Sequence, residues 1–146
     1  MSKRKKMMNL KEEISSEKSF EDQIKSLCEG LYYISETDAE IFPFSGTKAE
    51  NVTAEELLKQ TGNLPDAPVE ERGFDEMFVR LTKLQDWFGD EEKATAAKFS
   101  AIKELLEKSL KDLKVFKIGR INIDIYFVGL DADGNLKGIQ TKAIET

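Results

Sequence analysis

The stretch INIDIYFVGLDADGNLKGIQTKAIE, residues 121–145, decides the fold of this chain. Ile121, Ile123, Ile125 and Phe127 alternate with Asn122, Asp124 and Tyr126, the two-residue period of a half-buried strand. Asp131-Ala132-Asp133-Gly134-Asn135 carries turn chemistry, and LKGIQTKAIE brings the chain back, which predicts an antiparallel meander. Val115, Phe116 and Ile118 begin the sheet just upstream.

Before that point the spacing is helical. Phe20, Ile24, Leu27 and Leu31 share one face, with Gly30 near the stop. Thr53-Ala54-Glu55-Glu56 has the form of a capping box, each side chain satisfying the other residue's free amide, and Gly62 closes that helix. Phe74, Met77, Phe78 and Leu81 mark a third helix ending near Leu84. Asp90 is the expected cap of a long fourth helix, with Ala94, Ala97, Ile102, Leu105, Leu106 and Leu113 as its apolar stripe. Between them, SETDAE reads as an acidic loop, IFPF as a strand closed by a turn at Ser45-Gly46, and GNLPDAPVEERG as a loop. Helices first and strands last argue for an α+β fold.

The 146 residues suit one domain. Residues 1–18 read as a basic, disordered N-terminal extension and residues 19–146 as the single folded domain. Of 22 basic residues, Lys3, Arg4, Lys5 and Lys6 stand together; the other 18 face 28 acidic residues, a net charge of −10 against −6 for the whole chain. Such a body repels nucleic acid and favours basic partners, so no direct nucleic acid binding by the domain is expected. Nothing is long and apolar enough for a signal-peptide core or a membrane span. The expected location is intracellular and cytoplasmic, with the Lys3–Lys6 run as a route to the nucleus. Cys28, the only cysteine, suits a reducing compartment and reads as a small buried hydrophobe.

There is no histidine, which removes the usual general base, the Ser and Cys triads and the common zinc clusters. Glu36, Asp38 and Glu40 could pair as catalytic carboxylates, but acidic loops are ordinarily solvated surface, and the expectation is a protein that is not an enzyme. DADGN opens like a calcium loop, yet Leu136 and Lys142 stand where that loop needs Gly and Glu, so a hairpin turn explains it. Three features point outward. Trp87, the only tryptophan, lies beside Asp86 in a short polar connection, where a large ring serves either as core or as partner anchor. Glu36 follows LYYI, at the end of an expected buried segment that would hold its carboxylate rigidly. Thr146 ends the sequence on a strand and offers a hydroxyl, a hard oxygen donor of the type magnesium accepts.

The blocks EGLYYISE, LLKQTG, DAPVE, QDWFGDEE followed by AAKF, and GNLKGIQTKAIET occur in one order. Together they resemble the nuclease A inhibitor-like family, small proteins that block a sugar-non-specific, magnesium-dependent endonuclease. The resemblance runs from about Ile24 to Thr146. It implies an α/β/α sandwich with an antiparallel β-sheet and flanking helices. It also implies nuclease-binding roles: Thr146 as hydroxyl ligand to the nuclease's magnesium, Glu36 within Ser35-Glu36-Thr37 as mimic of the scissile phosphate, and Asp86-Trp87 as a second contact. No cofactor of the chain's own is expected, only magnesium bridged in the complex. AEIFPFSGTKAENV and the Val69–Gly73 region match that pattern poorly. The alternative reading keeps the scaffold as a non-catalytic interaction module for a different partner.

Overall fold

A computed structural model describes residues 19–146; the N-terminal extension and its Lys3–Lys6 run lie outside the described residues. Helix α1 (Phe20–Cys28) leads into a small hairpin, β1 (Tyr32–Ile34) with β2 (Asp38–Glu40). Next come β3 (Phe42–Lys48), α2 (Ala54–Gln60), β4 (Val69–Arg72), α3 (Phe74–Thr82) and α4 (Asp90–Ser109). The chain finishes with β5 (Lys111–Ile118), β6 (Asn122–Leu130) and β7 (Asn135–Ile144). Five strands form one sheet in the order β3-β7-β6-β5-β4, every neighbouring pair antiparallel.

The sheet has helices on both faces. Val115, Ile123, Ile125, Phe127, Ile139 and Ala143 project to one side and pack with Ile24, Phe78, Phe99, Ile102 and Leu106 from α1, α3 and α4. Phe116, Ile118, Tyr126, Val128 and Leu136 project to the other and meet Leu57 and Leu58 of α2. The mixed α+β class and the α/β/α layering both hold. Because β6 is the central strand, its residues from Ile125 to Gly129 are buried on both faces, more deeply than a half-buried reading allows. Truncating Phe78 or Phe127, whose rings sit 5.2 Å apart at the centre of the larger layer, would cost about 3–5 kcal/mol through lost transfer energy and the cavity left behind.

The β6–β7 turn forms as its residues dictate. Asp131 Oδ1 accepts from the amides of Asp133 and Asn135, both at 2.9 Å, and Gly134 takes a left-handed φ of 82°. Asp131 is committed to those amides and to Lys137, which also pairs with Glu21 of α1. Burial works to raise the Asp131 carboxyl, but the two amides and the Lys137 ammonium outweigh it and hold it below its usual range.

Several local expectations are corrected. SETDAE is a hairpin rather than an open loop, because Asp38–Glu40 pairs back onto Tyr32–Ile34. The chain does not turn at Ser45-Gly46. Strand β3 runs through it to Lys48 with a register irregularity, and the Gln60 side chain bonds to Thr47 N and O at 2.7 and 3.1 Å. A Cβ on Gly46 would collide with Gln60 Oε1, so glycine here admits a side chain that covers an edge strand. VEER, read as loop, is the edge strand β4. Half of the capping box is made: Thr53 Oγ1 accepts from Glu56 N at 3.1 Å, while Glu56 accepts from Gln60 instead. Gly89 caps α4, not Asp90, with Glu92 accepting from its amide at 2.7 Å. Ala94 and Ala97 face solvent, Leu113 belongs to β5, and Ala96 and Phe99 take the buried positions on α4.

Candidate functional site

The β1–β2 turn is built by Ser35-Glu36-Thr37. Ser35 N and Oγ both donate to Thr37 O at 3.0 Å, which closes the turn on itself. The same turn then serves as a partner for the end of β7: Ile144 N donates to Ser35 Oγ at 3.1 Å, and Glu36 N donates to Ile144 O at 3.4 Å. Strand β3 pairs with β7 only as far as Gln140, so beyond it the hairpin takes over the exposed edge. A buried hydroxyl completes the docking, Thr141 Oγ1 donating to Glu40 O at 3.0 Å and Ala39 O at 3.3 Å.

Past Ile144 the chain stays ordered by its own hydrogen bonds. Glu145 N donates to Ile121 O at 3.0 Å. Thr146 N donates to Glu36 Oε2 at 2.6 Å, and the Thr146 hydroxyl lies 2.8 and 3.0 Å from the two oxygens of that carboxylate. Two residues singled out separately, 110 positions apart, thus meet at one exposed corner. A hydroxyl has one proton and two lone pairs. Its proton goes to Glu36, so the lone pairs of Thr146 Oγ1 and the remaining ones of the carboxylate stay free for an incoming cation. Among the described residues no group of three or more His, Cys, Asp or Glu could hold an ion.

The Glu145 carboxylate meets Lys117 Nζ at 2.8 Å. One expectation changes on this surface. LYYI is not a uniformly buried run: Leu31 and Tyr33 face the core while Tyr32 and Ile34 face out. All four are apolar, so hydropathy marks neither pair; the two-residue period of strand β1 separates them. The Glu36–Asp38–Glu40 set does not form a carboxylate pair, since Glu36 bonds to Thr146 and neither other acid hydrogen-bonds to it. Cys28 is buried, and burial pushes its thiol up to about 12, which leaves almost no thiolate at neutral pH.

Asp86 and Trp87 stand elsewhere, on the connection between α3 and α4. Trp87 is 75% exposed and stacks on its neighbour Phe88, edge to face with ring centres 4.7 Å apart. Asp86 is exposed, with no hydrogen bond or ion pair among the described residues. No such bond joins this loop to Glu36 or Thr146. A concavity lined by Tyr32, Ile34, Arg80, Leu81, Thr95 and Phe99 forms where β1 faces α3 and α4. The exposed apolar residues Tyr32, Ile34, Leu84 and Trp87 lie on the hairpin and on the α3–α4 connection.

An antiparallel sheet with helices on both faces thus carries a surface corner made of a carboxylate and a hydroxyl. The family model described as Nuclease A inhibitor-like protein matches residues 18–146, and the chain belongs to that family. The family is one of nuclease inhibitors, which implies a nuclease as partner. No curated protein matches the chain. Among the described residues, no helix is long and apolar enough to cross a membrane.

Proposed function

We propose that this protein inhibits a sugar-non-specific, magnesium-dependent endonuclease by plugging its active site with the Glu36–Thr146 corner. The single observation that carries the reading is the hydrogen bond from the Thr146 hydroxyl to the Glu36 carboxylate. A nuclease attracts a phosphate with cationic side chains and a metal. An inhibitor needs a fixed anion for the first and a hard oxygen for the second. Glu36 is the anion, taking charge-assisted hydrogen bonds that the scissile phosphate would take. Thr146 Oγ1 is the oxygen; donating its proton to a carboxylate makes it more electron-rich and turns its lone pairs outward as ligand to the nuclease's magnesium.

A rigid corner gives up little freedom on binding, because its geometry is set when the protein folds. No phosphodiester is present, so nothing is cleaved. Asp86 and Trp87 supply the second contact, with the indole as the large apolar anchor. The net negative charge, −6 over the chain, speeds encounter with a basic cleft. The test is an assay of the purified protein, with nothing appended after Thr146, against a panel of ββα-metal nucleases at saturating magnesium. Stoichiometric inhibition of at least one, lost in Glu36→Ala, is expected. If no enzyme of the panel is slowed, the scaffold serves another partner and the proposal fails.

A further inference from the structure

The end of a chain ordinarily frays, and Glu145 and Thr146 lie beyond the last strand. Glu145 is nonetheless held twice, by Ile121 through its amide and by Lys117 through its carboxylate, with Nζ 2.8 Å from Oε2 and 2.9 Å from Oε1. Lys117 sits inside the sheet on β5, where it pairs with Ile125 on β6 and with Glu70 on β4. Its side chain is only 12% exposed, so the alkyl stem is packed and the ammonium has little freedom left to lose. The charges continue outward: Glu70 lies 3.9 Å from Lys117 and 3.5 Å from Arg72, which in turn meets Glu76 of α3 at 3.0 Å. A row of alternating charge thus runs from the chain's last residues to β4 and α3.

We infer that Lys117 is a positioning residue: by holding the Glu145 carboxylate across the sheet it fixes the last peptide unit, so that the Thr146 amide and hydroxyl meet Glu36 before any partner arrives. This rests on the reading of the Glu36–Thr146 corner as the plug. Lone surface ion pairs contribute little, because two mobile side chains must be ordered to make them. Here one partner is already immobile, and the segment it holds carries the proposed ligand. Glu145 therefore restrains Thr146 from one side while Glu36 restrains it from the other.

The experiment uses the full chain as parent, Lys117→Met, which keeps the length of the stem, and Lys117→Arg, which keeps the charge. Backbone amide order parameters of Glu145 and Thr146 are measured in the free protein, and inhibition is measured against a ββα-metal nuclease with magnesium. In the parent the two amides have order parameters near about 0.85, and Lys117→Met drops them to roughly 0.6 or below while those of Ile123, Phe127 and Ile139 hold. Inhibition weakens about tenfold, chiefly through faster dissociation, and Lys117→Arg restores both readouts. In a Thr146→Val background Lys117→Met adds no further loss, since both act through the same hydroxyl. The inference is overturned if the terminal amides stay ordered in Lys117→Met, if the core amides loosen with them, or if the losses with Thr146→Val simply add. A parent that inhibits no such nuclease sinks the plug reading instead, and the order parameters still decide whether Lys117 holds the tail.

Discussion

The corner at Glu36 and the loop at Trp87 are organised in opposite ways. At the corner nearly every polar group has a protein partner: Ser35, Glu36, Ile144, Glu145 and Thr146 are joined by hydrogen bonds to one another, to Thr37 or to Ile121. On the loop, Asp86 has none among the described residues and Trp87 stacks on its neighbour Phe88. The difference follows from what each would have to do. A metal ligand and a phosphate mimic must be placed to within a fraction of an ångström, so their order belongs to the folded state. An aromatic anchor gains from area rather than angle, and an indole has few rotors to freeze, so it can wait on an open loop.

The largest expected effect tests the corner. Glu36→Ala removes the anion and the acceptor for both Thr146 donors; affinity for the nuclease should fall by about 3 kcal/mol or more, over a hundredfold in the inhibition constant. Thr146→Val keeps the shape and removes the hydroxyl, with a similar loss. Both residues are exposed, so the thermal midpoint should move by less than about 0.5 kcal/mol equivalent. Glu36→Gln separates charge from hydrogen bonding, because it retains one acceptor oxygen for Thr146. Full potency in that variant would show that the carboxylate's charge plays no part.

Next in size is Trp87→Ala, which should cost about 2 kcal/mol of affinity, read in surface binding as faster dissociation at an unchanged association rate. The comparison predicts that stability is untouched, since the ring is 75% exposed and buries nothing in the core. A Trp87→Ala variant that melts early would place the indole in the wrong class. A parent dissociation rate in the variant would remove the loop from the interface.

How much of this could be read from residues differs across the molecule for a physical reason. The β6–β7 meander was legible because period-two alternation and an Asp-Gly turn are local signals. Edge strand β4 was not, since Val69-Glu70-Glu71-Arg72 carries the charges that keep an edge from pairing with another chain and so resembles loop. Gly46 misled for a related reason: a glycine needed for the approach of Gln60 looks like a glycine needed for a turn. At the site, the roles of Glu36, Thr146, Asp86 and Trp87 came with the family resemblance, and the sequence could not show that the first two touch. Their contact depends on docking a hairpin against β7, held by Thr141, and on a tail held by Lys117; a threonine and a lysine within strands carry no local mark of either task.

Thr141 therefore offers a smaller test of the same contrast. Thr141→Val removes the buried donor to Ala39 and Glu40, and the unmet carbonyls should cost about 1–2 kcal/mol of stability. If the corner depends on the hairpin's docking, inhibition should weaken as well, and the Thr146 amide should lose its protection against hydrogen exchange. The Trp87 loop should be indifferent, so coupling between Thr141→Val and Trp87→Ala should be near zero.

The smallest effect belongs to Asp86. An exposed, unpaired carboxylate at the rim of an interface acts on encounter more than on residence. Asp86→Asn should slow association by roughly two- to threefold at low salt and leave dissociation alone, the difference vanishing as added salt shortens the screening length to a few ångströms. Glu36→Gln should keep its defect under the same salt, because a charge seated against a metal and its cations is shielded from the solvent ions that screen Asp86. If both variants lose their defects together in high salt, then Glu36 is also a steering charge, and the corner would not be the plug that its bonded geometry suggests.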